Sequence, residues 1–222
     1  MTPILKPRTV LAGLALLLAT VACSSPGGSS GADTSRSGND ADAPAVDVAV
    51  TNAINFHMLD FVAWNNHDVD MFRRLHTADV KVEFGGTTTN GIDAHVQALE
   101  PMWQPNSAIT HHMPVVAEGE WTCVVGASGP PNNMRMVTVA RWRDGAISEE
   151  YLFSNLLERG SAKPTTAGEP MVSIANQRPE LKALTGAEVG WSCRMERTAD
   201  GRKVVSVSRS GATAAEQMVF TQ

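Results

Sequence analysis

From Ala108 to Ser154 the chain reads as four consecutive extended segments: Ala108 to Ala117, Glu120 to Ser128, Arg135 to Trp142 and Ala146 to Ser154. Turns at "AEGE" and "GPPNN" separate the first three. Asp144-Gly145 joins the last two, and it is a two-residue turn signal because a type I′ turn needs positive φ at both central positions. Helical periodicities come before the strands. Val50, Ile54, Met58, Phe61 and Val62 recur at helical spacing between Val48 and Asn65. In "NNHDVDMFRRLH", Asp68 is placed to cap a short second helix, and Ile92, Val96, Leu99 and Trp103 mark a third that Pro101 shortens. Val80, Val82 and Phe84 alternate as a strand between the second and third helices, ending at Gly85-Gly86. Helices segregated before a run of antiparallel strands specify an α+β fold, with the three N-terminal helices packed on one face of a curved antiparallel sheet.

The last hairpin sets out which side chains turn inward. With Asp144-Gly145 as the turn, regular pairing puts Trp142 opposite Ile147, Ala140 opposite Glu149, Thr138 opposite Tyr151 and Met136 opposite Phe153. This face is the more apolar one and is expected to face the core, carrying Glu149 and Asn155 inward and leaving Glu150 outward.

The chain begins with a different kind of segment. Lys6 and Arg8 precede an uncharged apolar run from Val10 to Ala19, and "TVAC" ends at Cys23. That run is shorter than the roughly 20 apolar residues a bilayer span takes, but it has the layout of a signal peptide. The tetrapeptide resembles a bacterial lipobox with Thr20 in place of the usual leucine. The expectation is a lipoprotein signal peptide over 1–22, followed by a lipidated Cys23 carrying diacylglyceryl and palmitate. Such a protein is exported and held on the outer face of the bacterial cytoplasmic membrane.

Residues 24–44 contain no Leu, Ile, Val or aromatic residue, too little apolar surface to offset the entropy of ordering, so 23–45 is expected to be a disordered tether. Its reach as a flexible coil is about 25 Å. Without residues 1–22 the chain keeps 16 Lys+Arg against 23 Asp+Glu, a formal charge of −7. An acidic body gives no support for nucleic-acid binding. At the other end, 158–222 has a linker-like start, a hairpin expected to turn at Asp200-Gly201 in "WSCRMERTADGRKVVSVSR" and a short strand near "QMVFT". This strand-rich extension has too few large apolar residues for a core of its own, and it matches no recognised family. Export would allow a disulfide between Cys123 and Cys193, a pairing that spacing leaves open.

Four strings in order, "WNNHDVDMFRRLHTADVKVEF", "NGIDAHVQALEPMW", "EGEWTCVVG" and "VTVARWRDGAISEEYLF", resemble a SnoaL-like domain of the nuclear transport factor 2-like superfamily, placed at 46–157. The resemblance implies a cone-like fold in which a strongly bent sheet and three helices enclose a mostly apolar pocket, often in a homodimer. It also implies a polyketide cyclase-like relationship, with steroid isomerases and dehydratases among the relatives. In cyclase-like members the last strand ends in an aromatic residue followed by an acid-base Asp. The matching position here holds Asn155, and an amide has no titratable proton near neutral pH.

Glu149 is therefore the inward carboxyl left to act as acid or base, with Tyr151 as a hydroxyl donor and His111 as a proton carrier on a strand where His111 and His112 point to opposite faces. Each has a plainer structural reading: an ion pair at the rim, a core aromatic, a solvent-facing side chain. The expected pocket wall is Trp64, Trp103, Met113, Trp142, Glu149, Tyr151, Phe153 and Asn155, a lining suited to a small hydrophobic ligand. No histidine has an i, i+4 partner on its own helix, so no metal is expected, and no cofactor motif stands out. The sequence thus describes a ligand-binding lipoprotein without established catalysis. The alternatives are a cyclase, isomerase or hydratase acting on a carbonyl compound, and an interaction module of a cell-envelope complex.

Overall fold

The computed structural model describes residues 47–104, 106–128, 134–157, 168–175, 181, 190–213 and 216–222, with only the backbone of 155–157. The expected signal peptide, the expected lipidation site Cys23 and the expected tether lie outside the described residues. No described helix is long and apolar enough to cross a membrane.

Helix α1 (Val48–His57) starts at Asp47, whose carboxylate accepts the Ala49 N–H at 3.0 Å. It continues as a wider coil over Met58–Trp64, closed by i→i+5 bonds such as Asn65 N–H to Asp60 O at 3.2 Å and Asp68 N–H to Ala63 O at 2.8 Å. The face turned inward is Ala49, Asn52, Ala53 and Phe56, then Leu59 and Ala63. The apolar stripe expected from the sequence is not the buried one, because Ile54 is 40% and Met58 38% exposed. Small residues let the helix backbone approach the sheet closely. Asn52 and Asn55 then donate to Gly119 O at 3.3 Å and Gly145 O at 2.9 Å, fastening α1 to two strand turns. Helix α2 (Val69–Arg74) is capped by Asp68, which accepts the Met71 N–H at 2.8 Å, and α3 (Ile92–Leu99) ends in a single tight turn at Glu100–Met102 that contains Pro101.

The main sheet is β1 (His76–Phe84), β2 (Thr87–Asn90), β3 (Ile109–Glu118), β4 (Trp121–Ser128), β5 (Arg135–Arg143) and β6 (Ala146–Phe153), in the order β2-β1-β6-β5-β4-β3. It is antiparallel except where β1 and β6 run parallel. Asp144 (φ 53°) and Gly145 (φ 77°) form the expected turn.

The expected register of this hairpin does not persist beyond its end. Trp142 pairs with Ile147, but Arg141 pairs with Glu149, Ala140 with Glu150, Val139 with Tyr151 and Val137 with Phe153. Ser148 is an extra residue, a β-bulge, and its hydroxyl donates to Arg141 O at 3.2 Å. One inserted residue exchanges the two faces of everything after it. Glu150 therefore shares the inner face with Trp142 and Ala140, while Glu149, Tyr151 and Phe153 turn to the other side.

That other side is covered by a second sheet: β7 (Asn155–Leu157), β8 (Glu169–Ala175), β9 (Trp191–Arg197), β10 (Lys203–Arg209) and β11 (Met218–Thr221), in the order β7-β11-β10-β9-β8. β9 and β10 form the hairpin expected around Asp200-Gly201, with Arg197 opposite Lys203. Two cores result. Phe56, Leu59, Phe72, Val80, Val82, Trp142 and Ile147 join the helices to the main sheet, and Val137, Val139, Tyr151 and Phe153 meet Ile174, Met195, Val205, Val207 and Phe220 between the sheets. Cys123 and Cys193 are both free and buried there. Burial, with Cys123 beside it, pushes the Cys193 thiol well above its usual range.

Candidate functional site

The space between the helices and the inner face of the main sheet holds a cavity of about 290 Å³. Apolar side chains from the helical segments and the main sheet line it, including Leu59, Trp64, Phe72, Leu99, Ile109 and Leu152. Asp60, His95 and Glu150 reach into the same wall. The volume sits at the lower edge of the roughly 300–1,000 Å³ usual for small-molecule pockets.

Asp60 lies in the wide coil after α1, and the added residue in that turn sets its place on the inner side, as such insertions commonly do at functional sites. His112 Nε2 is 2.8 Å from Asp60 Oδ2, with the imidazole side chain 1% exposed and the carboxylate 16%. Burial raises the Asp60 carboxyl above its usual range, and the hydrogen bond from His112 opposes the rise. His112 Nδ1 is buried without a partner, so the ring holds one hydrogen-bonding position in reserve. Its ring packs 4.6 Å from His57 and 4.5 Å from Phe61.

Burial, then the nearby charge of His112, lowers His57 from 6.5 to about 4. Between those two pH values the unfolded chain binds a proton that the folded one does not. The resulting stability is present in full above pH 6.5 and is lost as the pH falls towards 4. For a half-buried ring this amounts to about 1–2 kcal/mol after solvent screening. His57→Phe should flatten the acid limb of stability measured by urea unfolding between pH 7 and pH 4.5; an unchanged slope would mean that His57 does not supply it.

Glu150 occupies the other part of the wall, 3.4 Å from His95 Nε2 and 3.7 Å from His76 Nε2. Burial by itself would raise its carboxyl, but His76 and His95 outweigh that and hold it down at about 2. His76 begins β1 directly after α2, and its Nδ1 is 2.8 Å from Phe72 O. A carbonyl only accepts, so Nδ1 carries the proton.

The sequence-derived residues fall elsewhere, with one exception. Trp64 lines the cavity. Trp103 packs behind it and donates to Trp64 O at 3.1 Å. Trp142 is core, its indole N–H given to Thr122 Oγ1 at 2.9 Å. Met113 is 54% exposed, and His111 is exposed while His112 is the inward member of the pair.

Because of the bulge, Glu149 is at the rim, paired with Arg141 at 3.1 Å and accepting the Tyr151 hydroxyl at 3.0 Å. Tyr151 and Phe153 belong to the intersheet core. Burial and then Glu149 raise the Tyr151 hydroxyl far above its usual value, and its bond to Glu149 and its place between the sheets keep it away from the cavity. Asn155 pairs through its backbone with Thr221, and its side chain lies outside the described residues. The adjacent His111-His112 and Glu149-Glu150 pairs were the usable signals in the sequence. Asp60 and His76 carried none.

A model of the SnoaL-like domain matches residues 57–150. No curated protein matches the sequence. Solved structures are similar to about half of this chain. An NTF2-like protein of unknown function from Mesorhizobium loti is 18% identical, covering 49% of this chain and 94% of that one, at a TM-score of 0.43. A candidate ketosteroid isomerase from Kribbella flavida is 19% identical over 54% and 84%, at 0.39. IdmH from Streptomyces antibioticus, a candidate polyketide cyclase, is 19% identical over 46% and 91%, at 0.38.

Proposed function

We propose that the SnoaL-like domain of this chain binds a small, largely apolar molecule in its inner cavity and holds one carbonyl or hydroxyl group of that molecule at Asp60, which His112 positions. The observation that carries this reading is Asp60, held from behind by His112 at 2.8 Å, in the wall of a cavity otherwise built mainly from apolar side chains. Apolar walls reward desolvation, while a few fixed polar groups orient the ligand.

Native mass spectrometry after mild purification should find a co-purifying small molecule. Asp60→Asn should weaken its binding by about 10- to 100-fold, the cost of a lost hydrogen bond to a charged group. A wild-type protein that carries nothing, or an Asn variant that binds equally well, would refute the reading.

Catalysis is the second reading, and the raised Asp60 carboxyl beside His112 favours it, since a buried acid with a shifted pKa can exchange a proton near neutral pH. In heavy water, wild-type protein should incorporate deuterium next to the carbonyl of a bound ketone, and Asp60→Asn should not. Equal exchange by both proteins would leave binding alone. The leader and "TVAC" support a lipid anchor at Cys23. Cys23→Ala should release the protein from membranes, and retention of that variant would exclude the anchor.

A further inference from the structure

The geometry points to a divalent metal site, of zinc type, formed by His76 Nε2, His95 Nε2 and Glu150, with its open coordination side towards the cavity. The three ligand atoms come from β1, α3 and β6 and all lie within 4.8 Å of one another. Their side chains are 0%, 4% and 6% exposed. Zinc bonds of about 2.0–2.2 Å at tetrahedral angles place ligand atoms roughly 3.3–3.5 Å apart. The Glu150 carboxylate stands 3.4 Å from one imidazole nitrogen and 3.7 Å from the other, close to that spacing, and the two imidazole nitrogens, within 4.8 Å of each other, would draw together around an ion.

Two features indicate a cation rather than a plain ion pair. His76 Nε2 and Glu150 Oε2 are both buried without a hydrogen-bond partner, although a buried polar atom left unpaired costs about 1–3 kcal/mol. In addition, the His76 Nδ1–H is given to Phe72 O, which leaves Nε2, on the side of Glu150, as the nitrogen available to a metal. A backbone carbonyl holding the far side of an imidazole is the usual support behind a metal-ligating histidine. Two neutral imidazoles and one carboxylate suit zinc or another borderline divalent ion better than calcium or magnesium, which prefer oxygen. His95 and Glu150 also line the cavity, so a fourth position would face whatever is bound there. A search within single helices misses this set, because the fold assembles it from three elements.

The metal assignment needs no organic ligand and is tested separately from the ligand reading. The full chain, purified in detergent and stripped with chelator, should take up one equivalent of Zn²⁺ in a calorimetric titration and rise in thermal midpoint. Co²⁺ in its place should give the visible bands of a tetrahedral site. Glu150→Gln and His95→Asn should each weaken binding by more than about 100-fold, beyond the 10–100-fold typical of losing only a supporting partner. The exposed His111→Ala and the ligand-site Asp60→Asn should retain it. Absence of stoichiometric uptake by the wild-type protein would overturn the proposal, leaving an imidazolium as the partner of Glu150. Equal uptake by the Glu150→Gln and His95→Asn variants would overturn it too, showing adventitious histidine binding. If a variant fails to fold, circular dichroism identifies it, and the wild-type titration and cobalt spectrum still decide.

Discussion

Phe220→Ala should destabilise the whole protein by about 3–5 kcal/mol, the range for deleting a large aromatic from a packed interior. Phe220 is 0% exposed and packs in the core between the two sheets with Phe153, also 0% exposed. It belongs to β11, seventy residues beyond the SnoaL-like match, yet it shares one core with Val137, Val139 and Tyr151 of the main sheet. If the two sheets form one cooperative unit, urea unfolding of the variant remains a single transition with a lower midpoint. A separate early transition, with the main sheet unaffected, would mean that the second sheet is an independent layer. A loss under about 1 kcal/mol would mean that the intersheet core is loosely packed.

Glu83→Ala should cost a comparable amount, about 3–5 kcal/mol, by leaving a buried ammonium without its anion. Lys203 of β10 donates to Glu83 of β1, and its side chain is only 9% exposed. The ammonium also lies 5.6 Å from the Tyr151 ring centroid. Burial tends to raise the Glu83 carboxyl, but hydrogen bonds from Lys203 and then Lys81 prevail and lower it below 4.5. The stability from that shift is therefore present above pH 4.5 and is lost as the pH falls through the lowered value. Urea unfolding at pH 7 should show the full cost of Glu83→Ala, and the gap from wild type should narrow in acid. A gap independent of pH would assign the loss to packing instead of charge. Lys203→Met, which removes the charge and keeps the hydrocarbon chain, should be milder than Glu83→Ala, because it leaves Glu83 its bond to Lys81 at 2.7 Å.

Local chemistry was legible in the sequence, and the faces it predicted depended on counting without interruption. Asp144-Gly145 made its turn and Asp68 its cap, because both outcomes rest on a few consecutive residues. The four strands from Ile109 to Phe153 were visible in their alternation. The bulge at Ser148 was not, since nothing in "AISEEYLF" distinguishes an extra residue from a paired one. That single insertion moved the pocket acid from Glu149 to Glu150 and sent Tyr151 and Phe153 to the intersheet core.

The first helix misled for a related reason. Its large apolar residues Ile54 and Met58 face outward, and Ala49, Ala53 and Ala63 are buried, because closeness to the sheet counts for more there than side-chain size. The His76, His95 and Glu150 cluster depends on the parallel β1–β6 pairing, a long-range contact that periodicity does not encode. The second sheet was foreseen only as a hairpin and a short final strand, and β8 not at all.

The C-terminal sheet also changes what the rest of the molecule can offer its surroundings. A bent sheet with helices on one side leaves its opposite face open, and such a face commonly finds a neighbour. In this chain Val137, Val139 and Phe153 on that face are 0% exposed, enclosed by the chain's own C-terminal strands. The chain supplies that cover itself. That face of the main sheet is therefore turned inward and is not part of the surface the chain presents to other molecules.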